Sequence, residues 1–342
     1  MVNCMNRRWN PAVVVLALLL PAWGCGSQKA QEVVIYTPVD REFSEPILRD
    51  FESQSGIRVK ALYDIEAAKA AGLTNRLLAE KGTPRCDVWW NSEFARTILL
   101  KDAGVLESYE SPSAKDIPAR WKDPDGYWTG YAVRGRVLIY NSSLVKPQDA
   151  PKSVLDLADA RWKGKAGLPN PAFGTTSSHC AAIFLEMGDA KAGQFFSTLK
   201  KNGLVICPGN ATVRDRVVSG DLLVGIVDTD DANLAIERGQ PLEMVLPDQD
   251  GLGVFVIPNT VSLVKNCPHP EAGKNLMDYL LSREIEARLA SSGSAQIPVR
   301  SGVPPPRRIR ALGEFKASDV DYAAVAHKMP ETNRILSEML VR

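Results

Sequence analysis

The chain has 342 residues, 41 Lys and Arg against 40 Asp and Glu, a net charge of +1 and a hydrophobic fraction of 45%. A balanced charge with no basic run or acidic tail argues against a nucleic-acid or charged-membrane binder held by bulk electrostatics. The length exceeds what one small core organises, so two domains are expected.

In chain order, Arg7 and Arg8 precede an apolar run over residues 11–20 and a small-residue stretch, AWGCGS, over 22–27. Ten apolar residues are about half of the ~20 that span a bilayer as a helix, so residues 1–24 are expected to be a signal peptide. Cys25 resembles the acylated cysteine of a bacterial lipobox, although Ala22 stands where leucine is usual and Trp23 is bulky. Residues 25–31 would then be a tether and Cys25 a lipid anchor in the periplasm or cell envelope; plain cleavage is the alternative.

Residues 32–36 predict a buried strand, 43–51 a helix ended by Gly56, and 57–63 an alternating strand. A helix over 69–80 and a strand over 86–90 follow. Strands alternating with helices imply a mainly parallel sheet that binds ligands beyond its strand ends. The β-rich stretch 127–140 is long enough to carry the chain into a second lobe. There the pattern repeats: strands at 166–168, 204–206 and 222–227, and helices at 177–187, 190–202 and 213–219. The stretch 253–258 suggests a return to the first lobe. PPPRR over 304–308 leads to a helical tail ending near Leu340. The expected fold is therefore α/β and two-lobed with a two-strand hinge. Residues 32–131 and 254–300 form lobe I, 132–253 lobe II, and 301–342 the tail.

Six cysteines are present, none spaced as C-x-x-C, which argues against a zinc knuckle or a thioredoxin-like redox motif. With Cys4 in the signal and Cys25 acylated, Cys86, Cys180, Cys207 and Cys267 admit two disulfides by three connectivities.

These features resemble the type II periplasmic solute-binding proteins of ABC importers, and among them the ferric-iron-binding proteins. The motifs that carry the resemblance are VVIY (33–36), DVWWNSE (87–93), GRVLIYN (135–141), WKGK (162–165), NPAFGTT (170–176) and PNTV (258–261). The resemblance implies a monomeric receptor that closes on Fe(III) with phosphate or carbonate as synergistic anion and delivers it to an inner-membrane permease. Carried over by motif, the first-loop ligand falls on Asp40 and the glutamate on Glu93, while Arg134, Asn210 and the loop holding Gly174, Thr175 and Thr176 fall near the anion. The tyrosine pair of that family falls on Asp230 and Asp231, which departs from its pattern.

Read without the family, Asp228, Asp230 and Asp231 cluster at a strand-to-helix turn, where Asp40 and Glu93 can approach from the other lobe. Oxygen-only donors suit a hard cation. The same carboxylates suit the ammonium group of a zwitterion such as an aminophosphonate. Alternatively Asp230 or Asp231 caps a helix beginning near Ala232. Tyr140 and Tyr36 are the candidate phenolate donors, and Arg136 is the neighbour that rivals Arg134.

Residues 173–178 place hydroxyls and backbone N–H groups before a helix, an arrangement that binds anions. Ser177, Ser178 and His179 do not form a nucleophile and base, because adjacent helical residues point about 100° apart. No metalloprotease, nucleophile-elbow or phosphate-loop motif occurs. A carboxylate-dependent hydrolase is the remaining enzyme alternative; binding without catalysis is the expectation.

Overall fold

The computed structural model describes Met1, residues 31–64 and residues 70–341. The signal segment, Cys25 and the expected helix start at Lys69 lie outside the described residues. Among those described, no helix is long and apolar enough to cross a membrane.

The first half alternates as expected: β1 (Glu32–Thr37), α1 (Arg41–Ser55), β2 (Arg58–Tyr63), α2 (Ala71–Ala79), β3 (Val88–Asn91), α3 (Ala95–Asp102) and the short β4 (Leu106–Glu107). Gly56 ends α1 at φ 72°, in the left-handed region where a side chain is strained. The 13-residue β5 (Thr129–Asn141) follows, buried along its whole length.

Next come β6 (Ala166–Pro169), α4 (Gly174–Met187), α5 (Asp189–Lys201), β7 (Val205–Cys207), α6 (Asn210–Val218), β8 (Val224–Asp228), α7 (Thr229–Glu237) and β9 (Leu242–Val245). The chain returns through β10 (Val256–Val264) to α8 (Pro270–Leu280), α9 (Arg283–Ser291) and α10 (Tyr322–Leu336).

The strands order as β2-β1-β3-β10-β5-β8-β6-β7, with β4 on β10 and β9 on β5. Pairing is parallel within each βαβ run, β1 with β2 and β3, and β6 with β7 and β8. It is antiparallel wherever β5 or β10 takes part. Strand β5 is the crossing strand: Thr129 to Gly135 pair with β10, and Arg136 to Tyr140 pair with β8. Its switch of partner lies between Gly135 and Arg136. One core packs under β1, β2, β3 and β10, and a second around β6, β8, α4 and α5.

Helix α10 is more than a tail. Val325, Ala326 and Met329 join Phe94 and Ile98 from the first half and Ala181 and Ala182 from α4 in one buried cluster. Strand β10 also runs past the expected stretch, because Pro258 sits at a register shift between Ile257 and Asn259 and does not end it.

Candidate ligand-binding cleft

Alternate residues of a strand share a face, so Arg134 and Arg136 project from β5 to one side. Both meet Asp228 at the end of β8: Arg134 Nη1 donates to its Oδ2 at 2.9 Å and Arg136 Nη1 to its Oδ1 at 2.7 Å. All three side chains are buried. Burial alone would raise the Asp228 carboxyl, but Arg136 and then Arg134 hold it below the usual carboxylate range. Burial opposes the charge of Arg134 as well, yet Asp230, Asp228, Asp40 and Asp231 together raise its pKa above that of a free arginine.

The two arginines divide the work. Arg136 ties the loops of the second half together, donating to Thr175 Oγ1 at 3.2 Å, Thr176 Oγ1 at 3.2 Å and Asn210 Oδ1 at 3.0 Å. Thr175 in turn donates to Asp228. Arg134 reaches both ways, to Asp228 and Asp230 through Nη1 and to the Ser92 carbonyl at the end of β3 through Nη2. Asn210 and the Gly174-Thr175-Thr176 turn thus meet as expected, but through Arg136.

Two helix N-termini border the space above this network. Helix α4 starts after Phe173 and α6 after Gly209, and neither residue supplies a side-chain cap. Orphan N–H groups and the macrodipole make such ends favourable for anions. Helix α6 is drawn close by two glycines in register, Gly167 and Gly225. A Cβ on Gly225 would lie 2.5 Å from Val213 Cγ1, and one on Gly167 would lie 2.6 Å from Leu222 Cδ1. The absent side chains seat α6 against the sheet and bring Asn210 to the cleft.

Acidic residues line the other side. One carboxylate oxygen from each of Asp228, Asp230 and Asp231 falls within 4.8 Å of the others. The cleft, about 350 Å³, is also lined by Asp40, Glu42, Phe43, Glu93, Phe173 and Leu234. Helix α7 begins at Thr229, with Asp228 at the cap position making no side-chain cap bond. The expectation that Asp230 or Asp231 caps a helix near Ala232 is therefore corrected: both lie in the first turn, which suits their charge. Asp40 occupies the cap position of α1, also without a side-chain cap bond.

Glu93 lies in the lining, 2% exposed, but its carboxylate accepts from Ala95 N at 2.7 Å and Arg96 N at 2.9 Å, capping α3. Tyr140 does not reach the cleft; it packs in the second core beside Leu138 and Val145. Tyr36 is also drawn away, its hydroxyl donating to Glu80 at 3.0 Å. Among the described residues, no tyrosine lines the cleft. Arg214 and Arg238, which the sequence reading missed, do line it, and Arg214 Nη1 lies 3.5 Å from Asp231 Oδ1. Only helical phase relative to Asn210 and Asp231 could have indicated them.

Cys86, Cys180, Cys207 and Cys267 are all free and buried, so no disulfide joins them. Burial pushes the Cys180 thiol up to about 12 and the Cys267 thiol up to about 11. Ser177 pairs with Asn333, and Ser178 donates to the Thr175 carbonyl. His179 stacks on Phe255 at 5.2 Å between centroids, and burial, with Arg136 nearby, lowers it to about 3. These three side chains form no nucleophile-base pair.

A mixed α/β body whose sheet is bridged by one long strand, with a charged cleft at the ends of β3, β6, β7 and β8, has the architecture of a two-lobed solute receptor. The chain belongs to the bacterial extracellular solute-binding proteins, whose family model matches residues 97–325. It is 24% identical to Iron uptake protein A1 of Synechocystis over 318 residues, 90% of this chain and 87% of the relative. The fold matches iron-bound HitA from Pseudomonas aeruginosa with a TM-score of 0.81 at 23% identity, covering 89% of this chain and 98% of that one. It also matches AfuA from Actinobacillus pleuropneumoniae, solved with fructose-6-phosphate, with a TM-score of 0.79 at 21% identity, covering 91% and 99%.

Proposed function

We propose that the cleft captures ferric iron together with a small anion and that the receptor, a monomer, hands both to the permease of an ABC importer. The observation that carries this reading is the carboxylate trio Asp228, Asp230 and Asp231, set within 4.8 Å in a cleft where acids outnumber arginines. A small, highly charged cation takes oxygen ligands. Asp230 and Asp231 are assigned as direct ligands, with Asp40 opposite; Asp228, already held by two arginines, sets their position. Arg134, Thr175, Thr176, Asn210 and the starts of α4 and α6 would hold the phosphate or carbonate. The relatives named for iron support the assignment.

Residues 32–131 with 254–300 are assigned to one lobe and 132–253 to the other, hinged where β5 changes partner. Export with an acylated Cys25 would keep the receptor in the cell envelope. The relatives named for iron uptake and ferric-iron binding support binding without turnover.

A second reading has its own support. Among the described residues no tyrosine lines the cleft, and about 350 Å³ bounded in part by Phe43 and Phe173 accommodates an organic phosphate or aminophosphonate. The neighbour holding fructose-6-phosphate favours this ligand class. Calorimetric titration with ferric phosphate, ferric carbonate, fructose-6-phosphate and 2-aminoethylphosphonate decides. Saturable binding only when iron is supplied supports the first reading; binding of an iron-free phosphate compound at equal or higher affinity replaces it with the second.

A further inference from the structure

A second cavity lies at the opposite end of the first half of the sheet. It measures about 240 Å³ and is lined by Lys81, Arg85 and Lys265, with Glu80, Val105 and Asn266 among the rest. The three cations are exposed, and none makes an ion pair among the described residues. The single acid is already engaged, since Glu80 accepts from Arg76 Nε at 2.8 Å and from the Tyr36 hydroxyl. Gly104 adopts φ 67°, and the Lys81 ammonium lies over it, 3.6 Å from where a Cβ would stand. The cavity therefore presents three uncompensated positive charges around a concave floor, which suits a phosphate-bearing anion.

Strand register gives its position. In β3 and its flanks, Arg85 lies at the start and Ser92 at the cleft end, roughly 23 Å away at ~3.3 Å per residue. Strand β10 runs the other way, so Val264 and Lys265 return to the Arg85 end. Strand β1 is parallel to β3, and Gln31 accepts from Arg58 N at 2.8 Å. The described body thus begins at the same pole as the basic cavity. Gln31 follows Cys25 by six residue steps, at most ~22 Å fully extended.

We propose that this cavity binds the phosphate of an anionic phospholipid headgroup in the membrane that holds the Cys25 anchor. It rests on that anchor for its orientation.

The test places the exported, acylated protein on vesicles of phosphatidylcholine alone or with 30% phosphatidylglycerol, at 0.15 M salt. The wild type is compared with Lys81→Gln, Arg85→Gln, Lys265→Gln combined. Each cation near an anionic surface is worth about five-fold in affinity, so the triple variant should lose roughly a hundred-fold on phosphatidylglycerol and nothing on phosphatidylcholine. Hydrogen exchange around residues 81–85 and 264–266 should slow only for the wild type on phosphatidylglycerol. Indistinguishable behaviour of the two proteins on phosphatidylglycerol overturns the proposal. Inorganic phosphate is titrated into both proteins in solution. Phosphate lost from the triple variant, without any lipid discrimination, identifies the occupant as free phosphate and overturns the lipid assignment. Ligand capture in the distant cleft should be the same in both proteins, so failure here is separable from failure of the cleft reading.

Discussion

At the scale of single residues, Arg136 and Asp228 are the pair on which the site depends. Removing one partner of a buried ion pair leaves an uncompensated charge and costs about 3–5 kcal/mol. Arg136→Ala should therefore lower unfolding stability by that order in urea titration, and Arg136→Lys should recover only part, since a lysine cannot reach Thr175, Thr176, Asn210 and Asp228 together. Asp230→Asn with Asp231→Asn takes a carboxylate away from buried Arg134 and should cost less stability than Arg136→Ala, because Asp228 still pairs with Arg134, while abolishing ligand binding by calorimetry. Unchanged affinity would return these aspartates to a merely electrostatic role at the start of α7.

His179 supplies a pH dependence. Its folded pKa, about 3, lies below the usual value of 6.5, so below pH 6.5 the unfolded chain takes up a proton that the folded protein refuses. Stability is fully present above pH 6.5 and falls by about 1.4 kcal/mol per pH unit as the pH drops toward 3. Between pH 6.5 and 5 the expected loss is about 2 kcal/mol, and His179→Phe should remove that slope. Asp228 acts lower: its depressed pKa adds stability above the unfolded value near 3.8 and loses it only as pH falls through the folded value.

At the scale of elements, the position of α6 follows from the Gly167 and Gly225 pair. Gly225→Ala forces Val213 to shift; overpacking of this kind costs about 1–3 kcal/mol. Because α6 carries Asn210, the same change should weaken ligand binding although residue 225 lies outside the cleft. A variant that loses stability but keeps full affinity would separate the packing from the site.

The elements differ in how legible they were. Strands β1, β3, β5 and β8 stood out as apolar runs bounded by turn residues, and the βαβ order gave the cleft its place. Strand β10 was cut short because Pro258 looks like a terminator when no neighbouring strand is known. Helices α8 and α9 drew no prediction, although α8 starts at Pro270, a residue favoured in a first helical turn. The trio Asp228, Asp230 and Asp231 was visible as a local sequence cluster. The capping by Glu93 was not, because the same carboxylate can face a ligand or the N–H groups of the next helix. Nor was Arg214, which meets Asp231 only through the packing of α6 beside α7.

At the scale of the whole molecule, two connections cross between the halves besides α10: β5 and the segment leading into β10. In the proposed hinge, closure of the cleft bends β5 near Gly135, where its partner changes, while α10 keeps its contacts to α3 and α4 or slides along one of them. Met329 is 3% exposed in the cluster that α10 shares with both halves. Met329→Ala should cost about 2–5 kcal/mol and loosen the relation between the halves, detectable as a larger radius of gyration of the ligand-free protein in small-angle scattering. An unchanged radius would assign α10 to one half alone.

In the proposed function, the carboxylate trio and the facing helix ends together hold a ferric ion and its anion. The most direct measurement is native mass spectrometry with elemental analysis of the protein taken from its own cell envelope, alongside the Asp230→Asn, Asp231→Asn variant. Close to one iron per wild-type chain with one small anion is expected, and none in the variant. A wild-type protein free of metal and carrying a phosphorylated organic mass would contradict it.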